Sequence, residues 1–328
     1  MATGDDLRCP AAFAADGGGD GESATAIEDL PTDVLALVLR RLDGASLAAL
    51  GCACAAFRGL AADPDAWRAL CLARWPSLRD VPPADHKGHR QLFADAFPFP
   101  FPAAAAAVPA PSSAVPAGAC SLPTRLVSAV DLHHGGACIM SRVVETDAAS
   151  GWFLGAPFRV DALVQEGFSA PTPITPADLS LSWVLIDPAT GRAVNASSRL
   201  PVSVDRRWLT GQTVVRFAVV LGGGVALDAA VTCDERFGHI TEVSLRIEDG
   251  EGGGVSGRDG LAVVAAAMAG ARQGRGAEAA ARLRYEEFVK GRAARKERKA
   301  RREGIFDLCC SGVGAAAFLG FLAMLTFR

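Results

Sequence analysis

The chain has 328 residues, half of them hydrophobic, and a formal net charge of −3. It is too apolar for a wholly disordered chain, long enough for two modest domains, and too close to neutral to work by bulk charge. The average hides one local excess: Val289–Glu303 carries eight Lys/Arg against two Glu, a balance of +6. Nine cysteines at irregular spacing do not suit a disulfide scaffold; buried thiols in a reducing compartment are the plainer reading. The opening MATGDDLRCP has acids where a secretory leader needs a basic patch, and no apolar run follows. The sequon Asn195-Ala196-Ser197 is therefore expected to stay unglycosylated.

Residues 1–25, rich in Gly, Ala and Asp, read as a flexible tail. Helical periodicity begins at residue 26 and continues to 76. Pro31 suits a first helical turn, and Val34, Leu35, Val38, Leu39 and Leu42 make an apolar stripe that Asp43-Gly44 should end. Leu47, Leu50 and Cys54 predict a short second helix. Asp63-Pro64 opens another, with Trp67, Leu70, Cys71 and Trp75 on its apolar face and Trp75-Pro76 at its end. Helices this short hold only by packing on one another.

Residues 77–123 are expected to hold one short helix around Leu92, Phe93 and Phe97, then a Pro/Ala-rich linker. Seven prolines fall between Phe97 and Pro123, which leaves no room for a packed element and places a domain boundary there. Beyond it the period changes to two. Strands are predicted at Cys138–Val144, Phe158–Val164, Leu181–Ile186, Val214–Val220, Val225–Cys233 and Thr241–Ile247. Asp187-Pro188-Ala189-Thr190-Gly191 and Gly222-Gly223-Gly224 are the turns between neighbours. Strands that follow one another without long helices between them argue for a mainly antiparallel sheet. Helices close the pattern at about Asp259–Ala271 and Ala277–Glu303. The expected fold is α+β: a small helical module at 26–76, then a strand-rich domain at 124–276, a basic charged helix at 277–303 and an apolar tail at 304–328. Trp152, Trp183 and Trp208 are expected in or near the core.

The helical segment resembles an F-box. The resemblance rests on Leu30-Pro31, the run Val34, Leu35, Val38 and Leu39, the pair Leu42-Asp43, then Leu47, Cys54, Phe57 and Asp65 with Trp67. It implies docking of a Skp-family adaptor, and through it a cullin, by Leu30, Pro31, Val34, Leu35, Leu39 and Leu47, with Trp67 in the module's own core. Two features depart from the family: Phe57 stands where Trp is commoner, and the second helix is unusually rich in alanine. The stretches SRVVETDAASGWFLGAPFRVDAL, LSWVLIDPATGRAVNASSRLPVSVDRRWLTG and RYEEFVKGRAARKERKARREG resemble a group of plant F-box proteins with an uncharacterised carboxy-terminal domain. No leucine-rich, kelch or WD period is present. The resemblance implies a substrate-receptor subunit of an SCF-type cullin–RING ubiquitin ligase that tethers an unknown protein target, with no catalytic residue and no cofactor of its own.

Enzyme signatures are thin: no G-x-S-x-G, no H-E-x-x-H and no P-loop. Asp131, His133, His134 and Cys138 are the one cluster of metal-ligand types, and no second pair at zinc spacing completes it, so no metal is expected. Arg159, Trp152, Arg206, Arg207 and Trp208 are candidates for a polar-aromatic recognition surface, or ordinary sheet-edge residues. The basic run 290–302 alternates with Ala and Glu, and Glu297 and Arg301 sit at pairing distance on a helix. It reads as a solvated helix more than a nucleic-acid groove binder. A non-ligase structural or nucleic-acid-binding protein is the alternative.

Leu308–Phe327 is twenty residues without a charged, His, Asn or Gln side chain, about 30 Å as a helix. It follows directly on the basic stretch. That pattern predicts a tail anchor, with both domains on the cytoplasmic face of a membrane; a helix that folds back on the second domain, in a protein of the cytoplasm or nucleus, is the other expectation.

Overall fold

The computed structural model describes residues 30–81, 88–97, 100, 122–169, 174–234, 238–273 and 276–326, with side chains described except at 164–169, 223 and 303–316. The expected amino-terminal tail and most of the Pro/Ala-rich linker lie outside these residues.

Five helices open the chain: α1 (Thr32–Leu39), α2 (Gly44–Leu50), α3 (Ala55–Leu60), α4 (Pro64–Arg74) and α5 (His89–Ala96), with a 3-10 turn at Pro76–Arg79. Pro31 is the N-cap of α1, one position before the expected first turn. Asp43, read as a stop, is instead the start of α2: its carboxylate accepts from the Ser46 backbone N–H at 2.7 Å. Cys54 likewise opens α3, its Sγ accepting from the Phe57 N–H, and Asp63 caps α4 by accepting from the Asp65 N–H at 3.0 Å.

The strands are β1 (Arg125–His134), β2 (Ala137–Asp147), β3 (Arg159–Ser169), β4 (Leu179–Asp187), β5 (Arg192–Asn195), β6 (Ser203–Arg206), β7 (Gln212–Leu221), β8 (Val225–Asp234) and β9 (His239–Glu248). They form a four-stranded sheet ordered β2-β1-β4-β5 and a five-stranded sheet ordered β3-β9-β8-β7-β6, with every pairing of these strands antiparallel. A short helix α6 (Gly151–Gly155) precedes β3, and α7 (Gly257–Ala269) and α8 (Ala281–Thr326) follow β9. The turn from β4 to β5 works as its sequence suggests. Asp187 Oδ1 accepts from the Ala189 N–H, Oδ2 accepts from the Thr190 hydroxyl, and Gly191 takes φ 63°.

Three strands, β1, β5 and β6, escaped the period-two reading. The reason for β1 is that it is buried on both sides. Leu126, Val130 and Leu132 enter the core between the two sheets, and Val127 and Ala129 enter a second core with Leu47, Trp67, Trp75 and Phe93 of the helices. A doubly buried strand shows no alternation. Strand β4 divides in the same way, Leu181, Trp183 and Leu185 facing one core and Val184 and Ile186 the other. The result is layered: helical module, four-stranded sheet, five-stranded sheet, and then α8, whose Ala281, Tyr285 and Phe288 cover Val202, Ala218 and Ala226 on the outer face.

Buried polar locks join the layers. Asp131, fully buried, accepts from the Ser77 N–H at 2.9 Å, the Ser77 hydroxyl at 2.6 Å and the Ser141 hydroxyl at 2.7 Å. Asp95 on α5 accepts from Arg192 Nε at 2.8 Å and the Ala193 N–H at 3.2 Å. Arg272 donates to carbonyls of Ala267, Gly270 and Met268 at the end of α7, and to those of Asp95 and Ala193. Under α8, Arg216 pairs with buried Asp228, Arg292 donates to Glu248 and Arg295 Nε to the Gly250 carbonyl at 2.7 Å.

Two sequence expectations are corrected here. Trp183 is core, but Trp152 and Trp208 are 81% and 86% exposed. Helix α8 does not stop at Glu303 but continues unbroken to Thr326. Among the described residues no helix is long and apolar enough to cross a membrane, so the expected membrane-spanning tail finds no support. The long helix is charged and docked over its first half, and of the expected span 308–327 the side chains of 308–316 and all of Phe327 lie outside the described residues.

Candidate adaptor-docking site

Helix α1, TDVLALVL, is apolar on nearly every side. Such a helix must be covered all round, but the described residues of the chain cover only one side. Leu35 and Leu39 turn inward, and Leu39 joins Leu47, Trp67 and Trp75 in the shared core. On the other side Leu30, Pro31, Val34, Leu37 and Val38 are exposed, Leu37 to 64% and Val38 to 53%. The six residues assigned to docking therefore divide. Leu30, Pro31 and Val34 lie at the surface; Leu35, Leu39 and Leu47 are buried, Leu47 completely, and hold α1 in place. Leu37 and Val38 complete the outer row. The spacing of Val34, Leu37 and Val38, i, i+3 and i+4, is the signal that marks this second face.

Trp67 is core as the resemblance implied, and its indole N–H donates to the Ala61 carbonyl at 2.7 Å. Phe57 is buried, so a smaller aromatic ring fills the place of the commoner Trp. Burial raises the thiol of Cys71 to about 12, which keeps it protonated and inert.

The aromatic and basic residues considered for recognition do not form one surface. Trp152 and Arg159 lie by β3 and Arg206, Arg207 and Trp208 by β6, the opposite edges of the five-stranded sheet, roughly 19 Å apart at the spacing of paired strands. Arg159 is held by Asp161 and Glu242. Asp131 is enclosed by its two serines, with its carboxyl pushed up by burial, and His134 Nε2 accepts from the Thr175 N–H. No group of three or more His, Cys, Asp or Glu among the described residues is placed to hold a metal ion. In the basic run, Arg292 and Arg295 are committed to the sheet and Arg301 to Glu297 at 2.7 Å.

An exposed apolar helix face thus lies on a small helical module that packs against the four-stranded sheet. The sequence matches the F-box-like family over residues 27–73. Across most of its length it is similar to three proteins of Arabidopsis thaliana. The protein named Probable F-box protein At2g36090 is 36% identical, over 88% of this chain and 89% of the relative. F-box protein At2g27310 is 33% identical over 92% and 97%, and F-box protein At3g44326 is 35% identical over 90% and 89%. The chain belongs to this family of plant F-box proteins. F-box proteins act in general as substrate receptors of SCF-type ubiquitin ligases and are typically non-catalytic. No solved structure matches the chain significantly.

Proposed function

We propose that the chain docks a Skp-family adaptor through the outer face of α1, joins a cullin by way of it, and presents a protein target bound elsewhere on the two-sheet domain. The observation that carries this reading is the row Leu30, Pro31, Val34, Leu37 and Val38, apolar and left exposed by the described residues on a module that matches the F-box family. The mechanism is tethering. The ligase gains rate from the raised local concentration of target beside a charged ubiquitin carrier, and chemistry on this chain is not required. Such a receptor works in the cytoplasm or nucleus, where we expect the protein to act.

The test is capture of the full chain by immobilised Skp-family adaptors. The wild type is expected to bind, and a variant carrying Val34→Asp and Leu37→Asp to lose binding while keeping the melting transition of the sheet domain. Failure of the wild type to bind any adaptor of the family would overturn the reading.

A further inference from the structure

The alanine-rich second helix has a structural consequence that adaptor docking does not use. Where α2 faces α4 and α5 it presents Ala45 and Ala48 beside a cavity of about 540 Å³, while Gly44 packs directly on the Phe93 ring, where a Cβ would fall 2.3 Å from Cζ. Trp67, Phe93 and Phe97 form its aromatic wall, and Gln273, Gly276, Ala277 and Glu278 also line it. Two guanidiniums line it. The Arg74 carbon Cζ lies 4.5 Å from the Phe97 ring centroid and 5.8 Å from that of Trp75; Arg90 stands 5.9 Å from the Trp67 ring. Among the described residues neither guanidinium makes a hydrogen bond or ion pair. Among the described residues Glu278 is the one carboxylate on the wall, and it accepts from the backbone N–H of Arg199 at 3.2 Å. Burial and the neighbouring Arg199 lower the basicity of Arg74, and Glu278 opposes them only in part.

The volume is in the range of small-molecule sites, which are apolar cavities with a few placed polar groups. A guanidinium flattened on an aromatic ring presents its fork of donors to a planar anion. Glu278, which shares the wall with the two arginines and acts on Arg74, leaves room for one negative charge and disfavours a dianion such as phosphate. We propose that this cavity, at the seam between the helical module and the sheet domain, binds a small aromatic carboxylic acid, with the ring against Trp67, Phe93 and Phe97 and the carboxylate on Arg74. This proposal does not depend on the adaptor reading, because its readout is direct binding.

The probes are 2-naphthoate and its neutral analogue 2-naphthalenemethanol, titrated calorimetrically into the full-length chain. The acid is expected to bind roughly ten- to a hundredfold more tightly than the alcohol, the range for one charge-assisted hydrogen-bonded pair. Arg74→Met should remove that preference while leaving the alcohol's affinity unchanged. Ala48→Phe, or Ala45→Leu if the first variant does not fold, should abolish binding of both. Equal affinity for acid and alcohol, an unchanged preference in Arg74→Met, or unchanged binding in a folded cavity-filling variant would each overturn the proposal. So would binding seen only after residues 102–120 are deleted, since the chain's own segment would then be the occupant.

Discussion

Removal of Arg216 should convert a buried ion pair into a pH-dependent defect. Asp228 on β8 is 2% exposed beneath α8. One carboxylate oxygen accepts from Arg216, and the other, Oδ1, has no hydrogen-bond partner among the described residues. Burial raises its carboxyl from 3.8 to about 6, with Arg216 opposing the rise. A displacement of that size corresponds to about 3 kcal/mol of penalty on the ionised form. Its folded pKa lies above its unfolded one, so the folded state binds the proton more tightly. The stability it contributes is complete below about pH 4 and is lost as pH rises through about 6. In Arg216→Met the opposing charge is gone, the carboxyl rises further, and the loss continues past pH 6. We expect a destabilisation of about 3–5 kcal/mol at pH 8, the usual result of stranding a buried charge, and a clearly smaller one at pH 5. Thermal melts of wild type and variant across that range measure the gap; carboxylates remote from Arg216 cancel in the comparison, whereas Asp205 and Glu248, each 4.0 Å from it, lose the same partner. The double variant Arg216→Met, Asp228→Leu should recover most of the loss. A gap between wild type and Arg216→Met that is the same at pH 5 and pH 8 would refute the reasoning.

Buried and exposed residues of the helical module should separate in mutagenesis. Leu47→Ala is expected to cost about 2–5 kcal/mol of stability, whereas Leu37→Ala should leave the melting temperature nearly unchanged and weaken adaptor capture by about five- to thirtyfold, the value of re-exposing a half-exposed leucine. Asp131→Ala leaves the Ser77 N–H and two hydroxyls without their acceptor. It should cost about 2–4 kcal/mol, and hydrogen exchange should rise first at the Ser77 turn and β1. Residues 26–81 alone lack Val127, Ala129, Val184 and Ile186, which complete the module's core, so circular dichroism should show that peptide far less cooperative on heating than the same segment in the full chain.

The sequence alone determined the elements whose cause is local. Helix starts follow from Asp63-Pro64, the β4–β5 turn from Asp187 and Gly191, and six strands from their period of two. The F-box segment was legible because its residues recur at fixed short spacings. Tertiary structure decided which side of each element faces inward. Helix α1 is apolar on nearly every side, so periodicity cannot say that Leu39 is core and Leu37 surface; burial in the core shared with Leu47, Trp67 and Trp75 decides it. Strand β1 was missed because helices brought from earlier in the chain cover its second face. Trp152 and Trp208 are hydrophobic, but they stand by the two outer edges of the five-stranded sheet, where the described residues leave them exposed. Ser77 meets Asp131 across 54 positions and Asp95 meets Arg192 across 97. A local window carries propensity and pattern. Burial depends on what arrives from the rest of the chain, and that is fixed only when the layers assemble.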